Sequence, residues 1–170
     1  QNVLIANTEG LYTGDERCYV RMAVTAVASD GRENQTGSAS PGAMRGYEFY
    51  DTLDLEALGR ESAYTAVTML RAPVCPAGVM PVIIDNGFGG VLFHEACGHS
   101  LEATSVAKGT SQFSGKLGQQ IAAPIVSAVD DGTLVNQWGS ANIDDEGMPT
   151  QRNLLIDKGV LVGYMIDRLG

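Results

Sequence analysis

Alternating apolar positions predict β-strands near the start of the chain. The run "NVLIANTEG" predicts a short strand that ends in a turn at residues 8–10. In "CYVRMAVTAVAS" every second residue from Val20 to Ala28 is apolar, which predicts a second strand, and we expect the two strands to form a hairpin. Residues 30–46 are rich in Gly, Ser and Asn and predict a loop.

A helical pattern follows this segment. Its apolar or small residues recur at a spacing that brings them close to one stripe of a helix: Leu55, Leu58, Ser62, Val67 and Leu70. Asp51 is the predicted N-cap, and Pro73 limits the far end because proline cannot continue a helix.

The second half of the chain alternates between apolar runs and glycine-rich segments. "AGVMPVIIDNG" predicts a strand, and the glycines of the "GFGG" that follows permit a tight turn into a helix. Their spacing fits neither of the common phosphate-binding patterns. Residues 105–122 are expected to be helical in part, with breaks at Gly109, Gly115 and Gly118.

The rest of the chain has the pattern of β-structure. Strands are expected in "PIVSAVDDGT", "NLLIDKG" and "VLVGYMIDR". Asp131-Gly132 and Lys158-Gly159 are the expected hairpin turns between them.

Composition and charge exclude several classes of function. The 170 residues are 44% hydrophobic and 18% charged, which is typical of a folded rather than a disordered chain. A formal net charge of −9 repels phosphate backbones and anionic lipid, so we expect no binding to nucleic acid or membranes. Three irregularly spaced cysteines favour buried, reduced thiols in a cytoplasmic protein.

Both histidines of the chain lie in one hexapeptide, "HEACGH", at His94 and His99. Neutral imidazole is a good zinc ligand, and a neighbouring carboxylate such as Glu95 can accept a proton from water activated by the metal. The alternative is that both histidines are core residues with hydrogen-bonded rings. Glu95 follows an apolar run, and a buried carboxylate needs a partner, so the sequence favours a metal site.

The spacing of this motif is one residue longer than that of the zinc-protease helix motif. On a regular helix, five steps of about 100° leave the side chains of His94 and His99 roughly 140° apart. A π-turn between the two histidines would realign them, and unwinding at Gly98 is an alternative. We favour the π-turn because such turns often occur at functional sites.

Spacing alone does not identify a third metal ligand. Glu102 could bind the metal, support a ligand or be solvated. Cys97 lies inside the motif, but its side chain need not face the same way as the histidines. The acidic run with Asp144, Asp145 and Glu146 is more simply a solvated turn.

Three longer stretches resemble a known family: "MPVIIDNGFGGVLFHEACGHSLEA", "KGTSQFSGKLGQQIAAPIVSAVDDGTL" and "WGSANIDDEGMPTQRNLLIDKGVLVGYMIDRL". They resemble the TldD branch of the TldD/PmbA metalloproteases over residues 79–170, and residues 1–78 do so more loosely. The resemblance implies that His94 and His99 bind zinc and that Glu95 activates water.

The same resemblance has further implications. The third ligand would be a cysteine beyond residue 170 of a longer chain, and so not Cys18, Cys75 or Cys97. The substrates would be peptides or unfolded polypeptides. The whole protein would be a homodimer, or a heterodimer with a TldE/PmbA-like subunit that lacks the motif. The "DDEG" and "FSGKLGQ" stretches would line the cleft, although a turn and a glycine-broken helix explain them equally well.

We therefore expect an α+β fold, with a mixed, largely antiparallel sheet and a metal-binding helix packed on it, in an interior piece of a longer protein. Residues 1–78 would end an N-terminal region, and residues 79–170 would begin the catalytic region. The expected activity is zinc-dependent hydrolysis of peptide bonds, with Tyr164 and Arg152 as candidate oxyanion stabilisers. The alternatives are a non-catalytic subunit or a hydrolase of non-peptide amides. With two ligands, this chain alone should bind zinc weakly and be inactive.

Overall fold

The computed structural model describes residues 1–168, without the side chain of Phe88, as a mixture of helices and antiparallel strand pairs. This confirms the predicted α+β class. The chain divides into two units, while the predicted division of the sequence after residue 78 stays a prediction. The first unit contains Gln1–Leu4, Thr13–Val79 and Leu134–Ser140, and the second contains Ile5–Tyr12, Met80–Thr133 and Ala141–Gly170.

The first strand, β1 (Asn2–Ala6), lies where the sequence predicted it, but its predicted partner is wrong. It pairs with β2 (Tyr12–Glu16), whose residues "YTGDE" are too polar for apolar alternation to mark a strand. The predicted second strand is two short ones, β3 (Val20–Arg21) and β4 (Val24–Ser29). Their even-numbered residues are the less exposed ones, as the alternation predicted.

Residues 30–46 contain two strands, so the predicted loop is wrong. β5 (Asn34–Ala39) pairs with β4, and β6 (Gly42–Ala43) pairs with β3. The β4–β5 turn is closed by Asp30, whose Oδ1 accepts hydrogen bonds from the backbone N–H groups of Arg32 and Glu33 at 2.8 and 3.0 Å. The small residues that suggested a loop instead form a strand surface on which a helix packs closely.

That helix is α1 (Leu55–Arg71), which follows a 3₁₀ turn at Tyr47–Thr52. Its N-cap is Asp54 rather than Asp51, because the Asp54 carboxylate accepts a hydrogen bond from the N–H of Ala57 at 2.8 Å. The helix ends before Pro73, as predicted. Its inward stripe consists of Leu58, Ser62, Ala66 and Leu70, whereas the predicted Leu55 and Val67 are exposed.

Residues 72–86, all of them described, form neither helix nor strand, so the strand predicted there is wrong. The apolar side chains of this run are exposed, and Ile83 is 100% exposed. A strand needs a partner for its backbone groups, and residues 1–168 supply none to this segment.

The segment that follows begins at Gly87, whose φ of 76° favours glycine. It continues as a chain of short helices: α2 (Gly90–Phe93), a π-helix (His94–Gly98), a 3₁₀ turn (His99–Leu101) and α3 (Ala103–Ala107). Residues 105–122 are therefore helical only at their start. None of the described helices has the length and hydropathy needed to cross a bilayer.

A three-stranded antiparallel sheet lies in the same unit. Its strands are β7 (Ala128–Asp131), β8 (Arg152–Asp157) and β9 (Val160–Leu161), in that order. Lys158-Gly159 is the predicted hairpin turn, whereas twenty residues, 132–151, connect β7 to β8, so Asp131-Gly132 is no hairpin. The apolar core joins this sheet to the helical segment through Leu101, Phe113, Leu155, Ile156 and Leu161.

Candidate metal centre

The backbone between His94 and His99 forms a π-helix, which confirms the predicted π-turn. The N–H of His99 donates to the carbonyl oxygen of His94, five residues earlier instead of four. The wider turn brings the two imidazoles together, with ring centroids 4.5 Å apart and planes at 66°. Gly98 keeps helical angles, so the alternative of unwinding at Gly98 is wrong.

The three chemically important side chains of the motif converge. One ligand atom each of His94, Glu95 and His99 lies within 4.8 Å of the others. Glu95 Oε2 is 3.9 Å from His99 Nε2, and the Glu95 side chain is 66% exposed, so its expected burial is wrong. Imidazole nitrogens and carboxylate oxygens are the donors that zinc accepts in catalytic sites, so these residues fit a divalent metal.

Glu102 contacts the opposite nitrogen of the second histidine. His99 Nδ1 lies 2.7 Å from Glu102 Oε1. An ionised carboxylate only accepts hydrogen bonds, so Nδ1 carries the proton in the neutral ring and Nε2 carries the lone pair. The hydrogen bond to Glu102 also raises the pKa of the His99 imidazole above its usual value, because it stabilises the charged form.

The backbone after His99 is fixed by the core and by the segment that follows β9. Leu101 is fully buried. Its carbonyl accepts a hydrogen bond from Met165 N–H at 2.9 Å, and Ala103 N–H donates to the Met165 carbonyl at 2.8 Å. The segment that carries the two histidines therefore packs beside the sheet, as the sequence predicted.

The cysteines lie apart from this group. Cys97 packs against the apolar core rather than joining the His94, Glu95 and His99 group. Cys18 and Cys75 are exposed, so the expectation of buried thiols is wrong for both. Neither cysteine is held in a strand or helix, and Cys75 lies in the exposed segment of residues 72–86.

A cavity of about 250 Å³ opens beside the two histidines. Besides His94, His99 and Glu102, its lining includes the carboxylate residue Asp130. The rest of the wall is largely apolar and contains Phe93, Val129, Leu155 and Met165. The cavity therefore places apolar surface beside the imidazoles of His94 and His99.

Other sequence candidates have structural roles. Asp144 closes a turn by accepting hydrogen bonds from the N–H groups of Glu146 and Met148, so the acidic run is the expected solvated turn. The Tyr164 hydroxyl donates to the Phe113 carbonyl at 2.7 Å, and Arg152 lies 3.6 Å from Asp131. Neither the "DDEG" nor the "FSGKLGQ" stretch lines the cavity beside the histidines.

Sequence reasoning left the role of Glu102 open and missed Asp130 and Met165. The three-residue step from His99 to Glu102 was a usable signal, because residues three apart are neighbours on a helix. No local signal could have identified Asp130 or Met165, since tertiary packing alone brings them to the cavity.

Two family models match the chain. The model described as PmbA/TldA metallopeptidase C-terminal domain matches residues 77–170. The PmbA/TldA metallopeptidase central domain matches residues 1–70.

Individual relatives agree with these matches. The metalloprotease TldD homolog of Haemophilus influenzae is 39% identical, over 99% of this chain and 36% of that protein. A metalloprotease of Methanothermobacter thermautotrophicus is 36% identical, over 95% of this chain and 36% of that protein. The chain therefore spans about a third of the length of these relatives.

Solved structures share the fold. A Thermotoga maritima protein described as a modulator of a DNA gyrase matches with a TM-score of 0.82 and 27% identity, over 98% of this chain and 38% of that one. TldE from Thermococcus kodakarensis matches with a TM-score of 0.69 and 21% identity, over 98% of this chain and 37% of that one, which shows the fold alone. On the strength of the two family models, this chain belongs to the TldD/PmbA family of metallopeptidases.

Proposed function

We propose that this chain is the metal-binding part of a zinc-dependent metalloprotease that hydrolyses peptide bonds in peptides or unfolded polypeptides. The observation that carries the proposal is the convergence of His94, Glu95 and His99 on an exposed π-helix. Membership of a metallopeptidase family supports both the metal and the protease chemistry.

Each residue of the group has a separate role in this proposal. His94 and His99 would hold the zinc ion, His99 through Nε2, because its Nδ1 is bonded to Glu102. Zinc, when bound, polarises a substrate carbonyl and makes nearby water more acidic. The Glu95 carboxylate accepts the proton of the attacking water and passes it to the leaving amine. Its exposure leaves it accessible to water and substrate.

The surroundings of the histidines support an extended polypeptide as the substrate. Unfolded segments expose apolar side chains, and the cavity wall offers Phe93, Val129, Leu155 and Met165 to receive them. This assignment is tested by measuring the hydrolysis of a short peptide in the presence of an apolar unfolded polypeptide. The polypeptide should compete for the cavity and slow the hydrolysis. A failure to compete would reject it.

The proposed assembly is a homodimer, or a heterodimer with a TldE/PmbA-like subunit. This proposal rests on family membership, and the exposed apolar run at residues 79–84 is consistent with a contact surface. The mass of the whole protein in solution, alone and with such a subunit, tests it. A mass equal to that of one subunit, both alone and with the TldE/PmbA-like subunit, would contradict the proposal.

The test of the chemistry is a Glu95→Gln variant in the full-length protein. We expect peptide hydrolysis to fall by about 10²–10⁴-fold while bound zinc is retained, because an amide cannot accept the proton. Glu61→Gln is the matched control, since Glu61 is an exposed residue of α1. It should leave both readouts unchanged.

Unchanged activity in the Glu95→Gln variant would reject Glu95 as the base. A wild-type protein that holds zinc but cleaves no peptide would favour the non-catalytic subunit. Cleavage of non-peptide amides, without cleavage of peptides, would favour the alternative that the protein is a hydrolase of non-peptide amides.

A further inference from the structure

We propose that Glu102 is a positioning residue of the metal centre, which holds the His99 imidazole with Nε2 toward the metal. The inference rests on the proposed function and assigns one role among the three that the sequence left open for Glu102.

The two ring nitrogens of His99 face different carboxylates. Glu102 Oε1 lies 2.7 Å from His99 Nδ1, while Glu95 Oε2 lies 3.9 Å from Nε2 of the same ring. The two carboxylates therefore contact opposite nitrogens. A carboxylate at one ring nitrogen fixes the tautomer and rotation of a histidine whose other nitrogen binds a metal, and it makes that nitrogen more basic.

Glu102 is itself anchored by its backbone. Its backbone forms a parallel bridge with Met165, and the neighbours Leu101 and Ala103 exchange hydrogen bonds with Met165. The Glu102 N–H also donates to the His99 carbonyl at 3.4 Å. The carboxylate is thus attached to a fixed stretch of backbone and can orient His99 without reorganising.

The position and exposure of Glu102 favour positioning over its two alternative roles. Glu102 is absent from the group of side chains whose ligand atoms lie within 4.8 Å of one another, which favours a supporting role over direct ligation. A purely structural ion pair is a poor explanation, because both side chains are about half exposed and such pairs contribute little to stability.

The experiment measures metal affinity in the full-length protein with the variants Glu102→Ala, Glu102→Gln and, as a control, Glu61→Ala. Affinity for Zn²⁺ and Co²⁺ is obtained by competition with a chelator, and visible absorption of the Co²⁺ form reports its ligands. We expect Glu102→Ala to weaken metal binding by about 10–100-fold. Glu102→Gln should have a smaller effect, because its amide oxygen still accepts a hydrogen bond.

The expected cobalt absorption keeps the wild-type band positions in both Glu102 variants, since the ligand set is unchanged. Thermal melting of the metal-free proteins should change little, because alanine preserves the backbone bonds to Met165. Glu61→Ala should bind metal as the wild type does.

Two results would overturn the proposal. Wild-type metal affinity in Glu102→Ala would show that His99 needs no support. Altered band positions would show that Glu102 is a ligand. A wild-type protein that binds neither metal would instead refute the proposed function, so the two failures are distinguishable.

Discussion

At the scale of single residues, small side chains determine how closely α1 packs on the β4–β5 hairpin. Ser62 and Ala66 are the buried residues of the helix. Gly37 of β5 lies beneath them, and a Cβ atom at Gly37 would be 2.2 Å from the Ser62 carbonyl oxygen. The packing therefore requires a glycine at this position, although its backbone angles are those of an ordinary strand.

We predict that Gly37→Ala destabilises the protein by about 1–3 kcal/mol or more, because backbone must move to admit the methyl group. Gly59→Ala is the matched control: Gly59 lies in α1, where an added Cβ meets nothing within 4 Å. That control should stabilise the protein by about 0.5–1 kcal/mol through helix propensity. Urea unfolding measures both, and equal effects of the two substitutions would contradict this packing.

At the same scale, residue type alone singled out the histidines and Glu95. They are conspicuous because the chain has no other histidine. Their exposure was not predictable, since Val91, Leu92 and Phe93 suggested a buried helix but are themselves exposed. An apolar run indicates a surface that packs against other apolar residues. It does not indicate whether those residues belong to the same chain.

At the scale of elements, the π-helix explains how two histidines five residues apart come together in the proposed metal site. A π-turn takes one more residue than an α-turn while the chain on both sides keeps its direction. Here the extra residue lets His99 face His94 while Leu101 still reaches the core. The motif is thus equivalent to the shorter helical motif with one residue inserted.

This equivalence predicts that deletion of Ala96 leaves metal binding intact. Loss of one residue should convert the π-turn to an α-turn, with the histidines four apart on one face. Insertion of a second alanine after Ala96 is the control, and it should abolish metal binding because the histidines then lie six residues apart. Chelator competition on the full-length protein measures both, and loss of metal in the deletion variant would contradict the equivalence.

Some elements were predictable and others were not, for identifiable reasons. Spacing predicted the π-turn and the Lys158-Gly159 hairpin, because both are set by local backbone geometry. Residue spacing did not predict β2 and β5. Their residues are polar or small, and they form strands only because they pair with β1 and β4. Spacing also overpredicted a strand within residues 72–86.

At the scale of the whole molecule, residues 1–168 contain a folded candidate metal site and an apolar run that pairs with no strand. The run at residues 79–84 includes Val79, Val82 and Ile83, each largely exposed. The chain spans about a third of its relatives' length.

The central claim is that His94 and His99 hold a zinc ion beside Glu95, and its most direct test is the metal content of the full-length protein by mass spectrometry. We predict about one zinc per chain in the wild type and in Glu95→Gln, and loss of zinc in His94→Ala and His99→Ala. The 170-residue chain alone should retain less zinc than the full-length protein. Absence of zinc from the wild type, or equal zinc in His94→Ala, would contradict the claim.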